Sequence, residues 1–115
     1  ADCGGIYQRW IGGQGVGGSP PKVNASRRPG EWQSFQAWFR APRFDASGRK
    51  VENARFLRVL HNGLPVQETV EVEGPTRAHM PLPEAPLNPL MLQGDHGPVA
   101  YRNIYIRPLR PIVFH

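Results

Sequence analysis

Cysteine is nearly missing from this sequence. Cys3 stands alone, so no disulfide can close within the chain and the redox compartment stays open. A lone thiol of this kind reads as a small buried hydrophobe rather than as a reactive group. Long hydrophobic runs are missing too: no apolar stretch can cross a membrane, no signal peptide is present, and no membrane partner is expected. There is no internal repeat, no heptad and no amphipathic helix, which sets aside repeat, coiled-coil and helical architectures. Acidic residues are outnumbered, nine against fourteen basic ones, for a net charge of +5. The arginines are scattered, with only Arg27 and Arg28 adjacent, and no nucleic-acid motif accompanies them. A solvated basic surface is the reading, with no nucleic acid as partner.

What the chain does have in quantity is glycine and proline, thirteen of each in 115 residues. Both break helices, and strands joined by tight turns tolerate them. The length suits one domain, here taken as residues 1–115, with a thin margin of buried surface. Hydrophobic content of 39% is low for a globular chain but above that of a disordered one.

Along the chain, Gly4 to Trp10 reads as a short strand, and the Gly-rich stretch 12–21 as a surface loop whose prolines forbid a helix. Glu31 to Arg40 reads as a strand with Phe35, Ala37 and Phe39 on one face and Trp32, Ser34, Gln36 and Trp38 on the other. A turn follows at Ser47–Gly48. Asn62–Gly63, between Phe56–His61 and Leu64–Gln67, predicts a two-residue hairpin, because both residues accept positive φ. Pro65 cannot donate to a ladder, so the second strand is an edge there or begins just after it. Residues 76–89 form a Pro-rich loop. Leu90 to Gln93 and Val99 to Leu109 read as the last strands, with a bulge at Arg102–Asn103, where the apolar parity reverses. Short strands with turns between them point to an antiparallel β-sandwich.

Several motifs in order then carry a resemblance. They are Cys3-Gly4-Gly5-Ile6-Tyr7, Val23-Asn24-Ala25-Ser26, Pro29-Gly30-Glu31-Trp32-Gln33, Ala41-Pro42-Arg43-Phe44-Asp45, His61-Asn62-Gly63 and Gly74-Pro75. Leu92-Gln93-Gly94-Asp95-His96-Gly97-Pro98-Val99, Tyr101-Arg102-Asn103-Ile104 and Arg107-Pro108-Leu109 complete the series. Together they resemble the 3-keto-disaccharide hydrolase family, concanavalin-like jelly-roll domains of bacterial sugar metabolism. The resemblance implies an all-β jelly roll, a carbohydrate ligand, and a periplasmic or secreted setting. Family domains are longer ahead of the Gly-Ile-Tyr motif, so this chain resembles their C-terminal portion, without the N-terminal strands. It begins Ala1-Asp2-Cys3 with no Met, and an upstream segment removed by processing, design or cleavage is expected. Strand edges left open in this way predict a homo-oligomer, or a partner chain that supplies strands.

The family is associated with cleavage of glycosides carrying a ketone at sugar carbon 3. The ketone acidifies the carbon-2 hydrogen; a base removes it, the group on carbon 1 leaves, and water adds. The site needs a base, a stabiliser for the enolate oxygen and an acid, and a divalent metal can serve as the stabiliser. The densest polar cluster surrounds one turn. There His96 is the candidate base or metal ligand, Asp95 its orienting partner or a turn former, and Gln93 a ligand for sugar hydroxyls. Arg102 and Asn103 at the inferred bulge, and Trp32 as a stacking surface, are the further substrate-binding candidates. His61 is assigned to the hairpin and His79 to a solvated loop; His115 has no role. Two other functions compete with catalysis: a non-catalytic carbohydrate-binding module, and a structural module that pairs strands with other copies.

Overall fold

The computed structural model describes residues 3–109; Ala1, Asp2 and residues 110–115, His115 among them, lie outside it. Among the described residues there is no helix, and every ladder is antiparallel. The chain is all-β, consistent with a jelly-roll sandwich domain. Its strands are β1 (Arg9–Ile11), β2 (Gln14–Val16), β3 (Phe35–Arg40), β4 (Arg43–Phe44), β5 (Lys50–Glu52), β6 (Ala54–His61) and β7 (Leu64–Val72). They make a β1–β2 ribbon, a three-stranded sheet in the order β3–β6–β7, and a β4–β5 ribbon.

The glycine-rich stretch corrects the loop reading. Gly12 and Gly13 have φ of 58° and 78°, the two positive values of a tight hairpin turn, and β1 and β2 pair across them. An isolated bridge between Ile6 and Ser19 extends the pairing. The same glycines that suggest a loop are what close the hairpin. Cys3 also departs from expectation, since it is exposed.

The Asn62–Gly63 hairpin forms as the sequence predicts. His61 faces Leu64, and the two turn residues have φ of 51° and 80°. Asn62 does more than turn. Its side chain accepts from the Ser34 amide at 2.9 Å and donates to the Ala25 carbonyl at 2.8 Å, so the turn holds two other segments. Pro65 sits in edge strand β7, where a missing N–H is tolerated.

Two register shifts shape the sheet. On β7, Leu60 faces Pro65 but Val59 faces Gln67, so Val66 is an extra residue. Such a bulge lets neighbours in sequence both turn inward, and Val66 and Gln67 are 0% and 1% exposed. On β6, Trp38 faces Arg58 but Phe39 faces Phe56, which makes Leu57 extra. Beyond it Arg40 stands directly opposite Arg55, and Arg55 opposite Glu71.

The core is small: Val59, Val66 and Ala25, with Phe56 packed against them. The N-terminal segment is fastened over it by Gln67. The Gln67 amide nitrogen donates to the carbonyls of Gly4, Ser19 and Pro20, and its oxygen accepts from the Ser19 hydroxyl at 2.8 Å. Farther along the same face the apolar side chains are open. Phe35 and Phe39 are 53% and 45% exposed, since no second sheet covers them among the described residues.

The last two expected strands are a correction. Leu90–Gln93 and Val99–Leu109 form no ladder, and residues 83–109 make no backbone–backbone hydrogen bond among the described residues. Alternating side chains give a segment the capacity to be a strand, but only a neighbour's N–H and C=O groups make it one.

Candidate functional site

The expected cluster is present on the segment from Gln93 to Tyr101. Pro98, with Gly97 at a φ of 115°, turns the chain, and the Tyr101 hydroxyl donates to the Gln93 carbonyl. His96 Nδ1 lies 2.7 Å from Asp95 Oδ1 and 3.0 Å from Gln93 Nε2. One nitrogen cannot donate to the first and accept from the second. The shorter contact to a carboxylate takes the proton, because a charged acceptor outcompetes a neutral one. The hydrogen bond from His96, and then that from the Gln93 amide, hold the Asp95 carboxyl below the usual carboxylate range. His96 is thereby fixed with Nδ1–H toward Asp95 and the Nε2 lone pair facing outward. A histidine in this tautomer can accept a proton from a substrate. Both side chains are 70% exposed, so the pair is open to a ligand.

Arg102 and Trp32 form a second group. The Arg102 guanidinium sits 3.7 Å from the Trp32 ring centroid, a cation–π contact covering one ring face. Arg27 donates to the Trp32 carbonyl and to the Gln33 side chain, and Gln33 ties the segment to the sheet through His61 and Asn62. No hydrogen bond joins this pair to His96 among the described residues. Asn103 is exposed at a φ of 54°, a conformation asparagine tolerates. With no ladder through Val99–Leu109, the expected bulge at Arg102–Asn103 does not exist; among the described residues the register shifts lie at Leu57, Val66 and Val51 instead. His79 is exposed in its loop, and His61 is fully buried beside the hairpin.

Asp95 and His96 are two metal-capable side chains, and no group of three His, Cys, Asp or Glu forms among the described residues. Resident metals ordinarily take three or more protein donors. Among the described residues the donor set does not fit one.

Sequence reasoning missed a polar cleft of about 480 Å³, lined by Arg40, Lys50, Glu52, Asn53, Arg55 and Glu71. These residues come from four strands and a connection, so no local motif announces them. Only the register that sets Arg40 against Arg55 brings them together.

Neither a curated protein nor a solved structure matches the chain. The family model described as the 3-keto-alpha-glucoside-1,2-lyase-like domain matches residues 1–107, nearly the whole length. The matched region takes in the Gln93–His96 cluster, Trp32 and Arg102 together with all seven strands, and the chain belongs to that family of 3-keto-disaccharide hydrolase-like domains.

Proposed function

We propose that this domain cleaves 3-keto-glycosides, with His96 as the base. The observation that carries the reading is the Asp95–His96 pair, held in one tautomer inside a family-matched segment. In the proposed sequence Nε2 of His96 takes the proton from sugar carbon 2, and the electron pair is delocalised onto the carbon-3 oxygen. The enolate then collapses, the bond from carbon 1 to the glycosidic oxygen breaks, and the departing oxygen is protonated. Water adds across the resulting double bond, with hydroxyl at carbon 1 and hydrogen at carbon 2. Gln93 and Asn103 would meet sugar hydroxyls. Arg102, once drawn from Trp32, would supply positive charge to the enolate oxygen and free the ring for a sugar.

The test is turnover of a 3-keto-disaccharide deuterated at carbon 2. A primary isotope effect is expected, with a loss of about 10²-fold or more in kcat for His96→Ala, the usual worth of a general base. Asp95→Asn should lower kcat with little change in KM. Unchanged turnover by His96→Ala would remove His96 from the reaction. Saturable binding of sugars with no turnover at all would favour the carbohydrate-binding reading.

A further inference from the structure

We infer that the cleft between β3, β5 and β6 binds an anionic sugar, its acid group held between Arg40 and Arg55. The sugar half of this statement rests on the proposed function; the anionic half stands on the geometry of the cleft.

Arg40 and Arg55 are directly opposed across β3 and β6, so their side chains leave the same face of the sheet. Like charges in that position repel and destabilise a sheet unless something negative lies between them. The neighbouring carboxylates are already engaged. Glu52 is shared between Arg40 at 3.5 Å and Arg43 at 3.3 Å. Glu71 pairs with Arg55 at 3.3 Å, and Glu84 with Lys50 at 3.1 Å. The cleft lining itself sets three cations, Arg40, Lys50 and Arg55, against two carboxylates, Glu52 and Glu71. One positive charge is left over at the cleft.

Arg40 gives one N–H to the Asn53 carbonyl, and the Nε of Arg40 and of Arg55 are buried without an acceptor, so a ligand would be met by the terminal guanidinium nitrogens. Guanidinium groups are built to grip the paired oxygens of a carboxylate or phosphate. Among the described residues no aromatic ring lines the cleft, and Val51 is its one apolar side chain. A neutral sugar that binds by ring stacking finds no platform there. A sugar acid finds two arginines for its acid group, and Glu52, Glu71 and Asn53 for its hydroxyls.

Calorimetric titration of the full chain with glucuronate, glucose 6-phosphate and glucose tests this. At least one acidic sugar is expected to bind about tenfold or more tighter than glucose, since charge-assisted hydrogen bonds supply the difference. Whichever acid binds tighter identifies the group as carboxylate or phosphate. Arg55→Gln and Arg40→Gln should each weaken that binding about tenfold, while Arg55→Lys retains part of it and reports that the fold is intact. His96→Ala should leave it unchanged, so acid-sugar binding without 3-keto-glycoside cleavage would defeat the proposed reaction and leave the cleft standing. Equal affinity for glucose, binding indifferent to both arginine variants, or no saturable binding of either acid would overturn the inference.

Discussion

At His61 hydrogen bonding and burial act in the same direction. The Gln33 side-chain oxygen already accepts from the Arg27 amide and the Asn62 side chain, so the His61 Nε2 at 2.9 Å must be its third donor. That leaves Nδ1 bare and buried without a partner, facing Gly4, with the ring stacked on Phe35. Charging the ring would place a proton there with nothing to receive it, and burial holds the His61 pKa below the ordinary value of 6.5. In the unfolded chain His61 binds its proton near the ordinary value; in the fold it does so only at lower pH. The stability linked to His61 is therefore complete above about 6.5 and is lost as pH falls below it, with a slope of up to about 1.4 kcal/mol per pH unit. Urea midpoints measured from pH 7.5 to 5 should show that decline in the wild type and less of it in His61→Gln; parallel profiles would exclude His61 as the cause. Gln67 is the second residue whose replacement should be felt. Gln67→Leu would leave partly buried carbonyls of the N-terminal segment without donors, at about 1–2 kcal/mol. A lower Tm, with cleavage near Ser19 in limited proteolysis, would report it.

Elements differ in how much of them could be read in advance, and the difference is one of locality. The Asn62–Gly63 turn was legible because its requirement, two consecutive residues at positive φ, is met within the dipeptide itself. Gly63→Val tests that requirement in isolation. A Cβ at Gly63 meets nothing within 4 Å, so only the backbone at a φ of 80° resists it. A loss of about 1–2 kcal/mol is expected from denaturant unfolding, whereas a neutral variant would mean that the turn relaxes to another type. Gly12–Gly13 meets the same condition, yet the surrounding glycines and prolines hid it. The bulges at Leu57 and Val66 could not be located from one strand, since an extra residue is extra only relative to a partner. Val99–Leu109 failed in the opposite way: its alternation is genuine, but nothing pairs with it among the described residues. Of the site, the Gln93–Asp95–His96 contact was legible because it spans four positions around one turn. The Arg40–Arg55 pair was not, because fifteen positions and a register shift separate it from any local pattern.

For the molecule as a whole, unpaired edges and uncovered apolar surface lie on the same chain. β3 and β7 each expose one edge of the three-stranded sheet, and Phe35 and Phe39 lie open on its face. Leu87, Tyr105 and Ile106 are 87%, 88% and 74% exposed on a segment with no ladder of its own. Among the described residues the sheet face lacks cover and Val99–Leu109 keeps its alternation without a ladder partner, so a second copy offers what each needs. Light scattering across a dilution series should give a mass above the 12.9 kDa of one chain; a monomer at every concentration would rule out self-pairing. The β6 bulge carries one more consequence. Leu57 is extra against β3 but in register with β7, where Arg58 faces Glu68 and Phe56 faces Val70. With the hairpin end held fixed, a β6 one residue shorter at Leu57 would keep Arg40 opposite Arg55 but slide Arg55 from Glu71 to Val70. The extra residue thus keeps two ladders in step, so that one arginine faces a cation on one side and a carboxylate on the other.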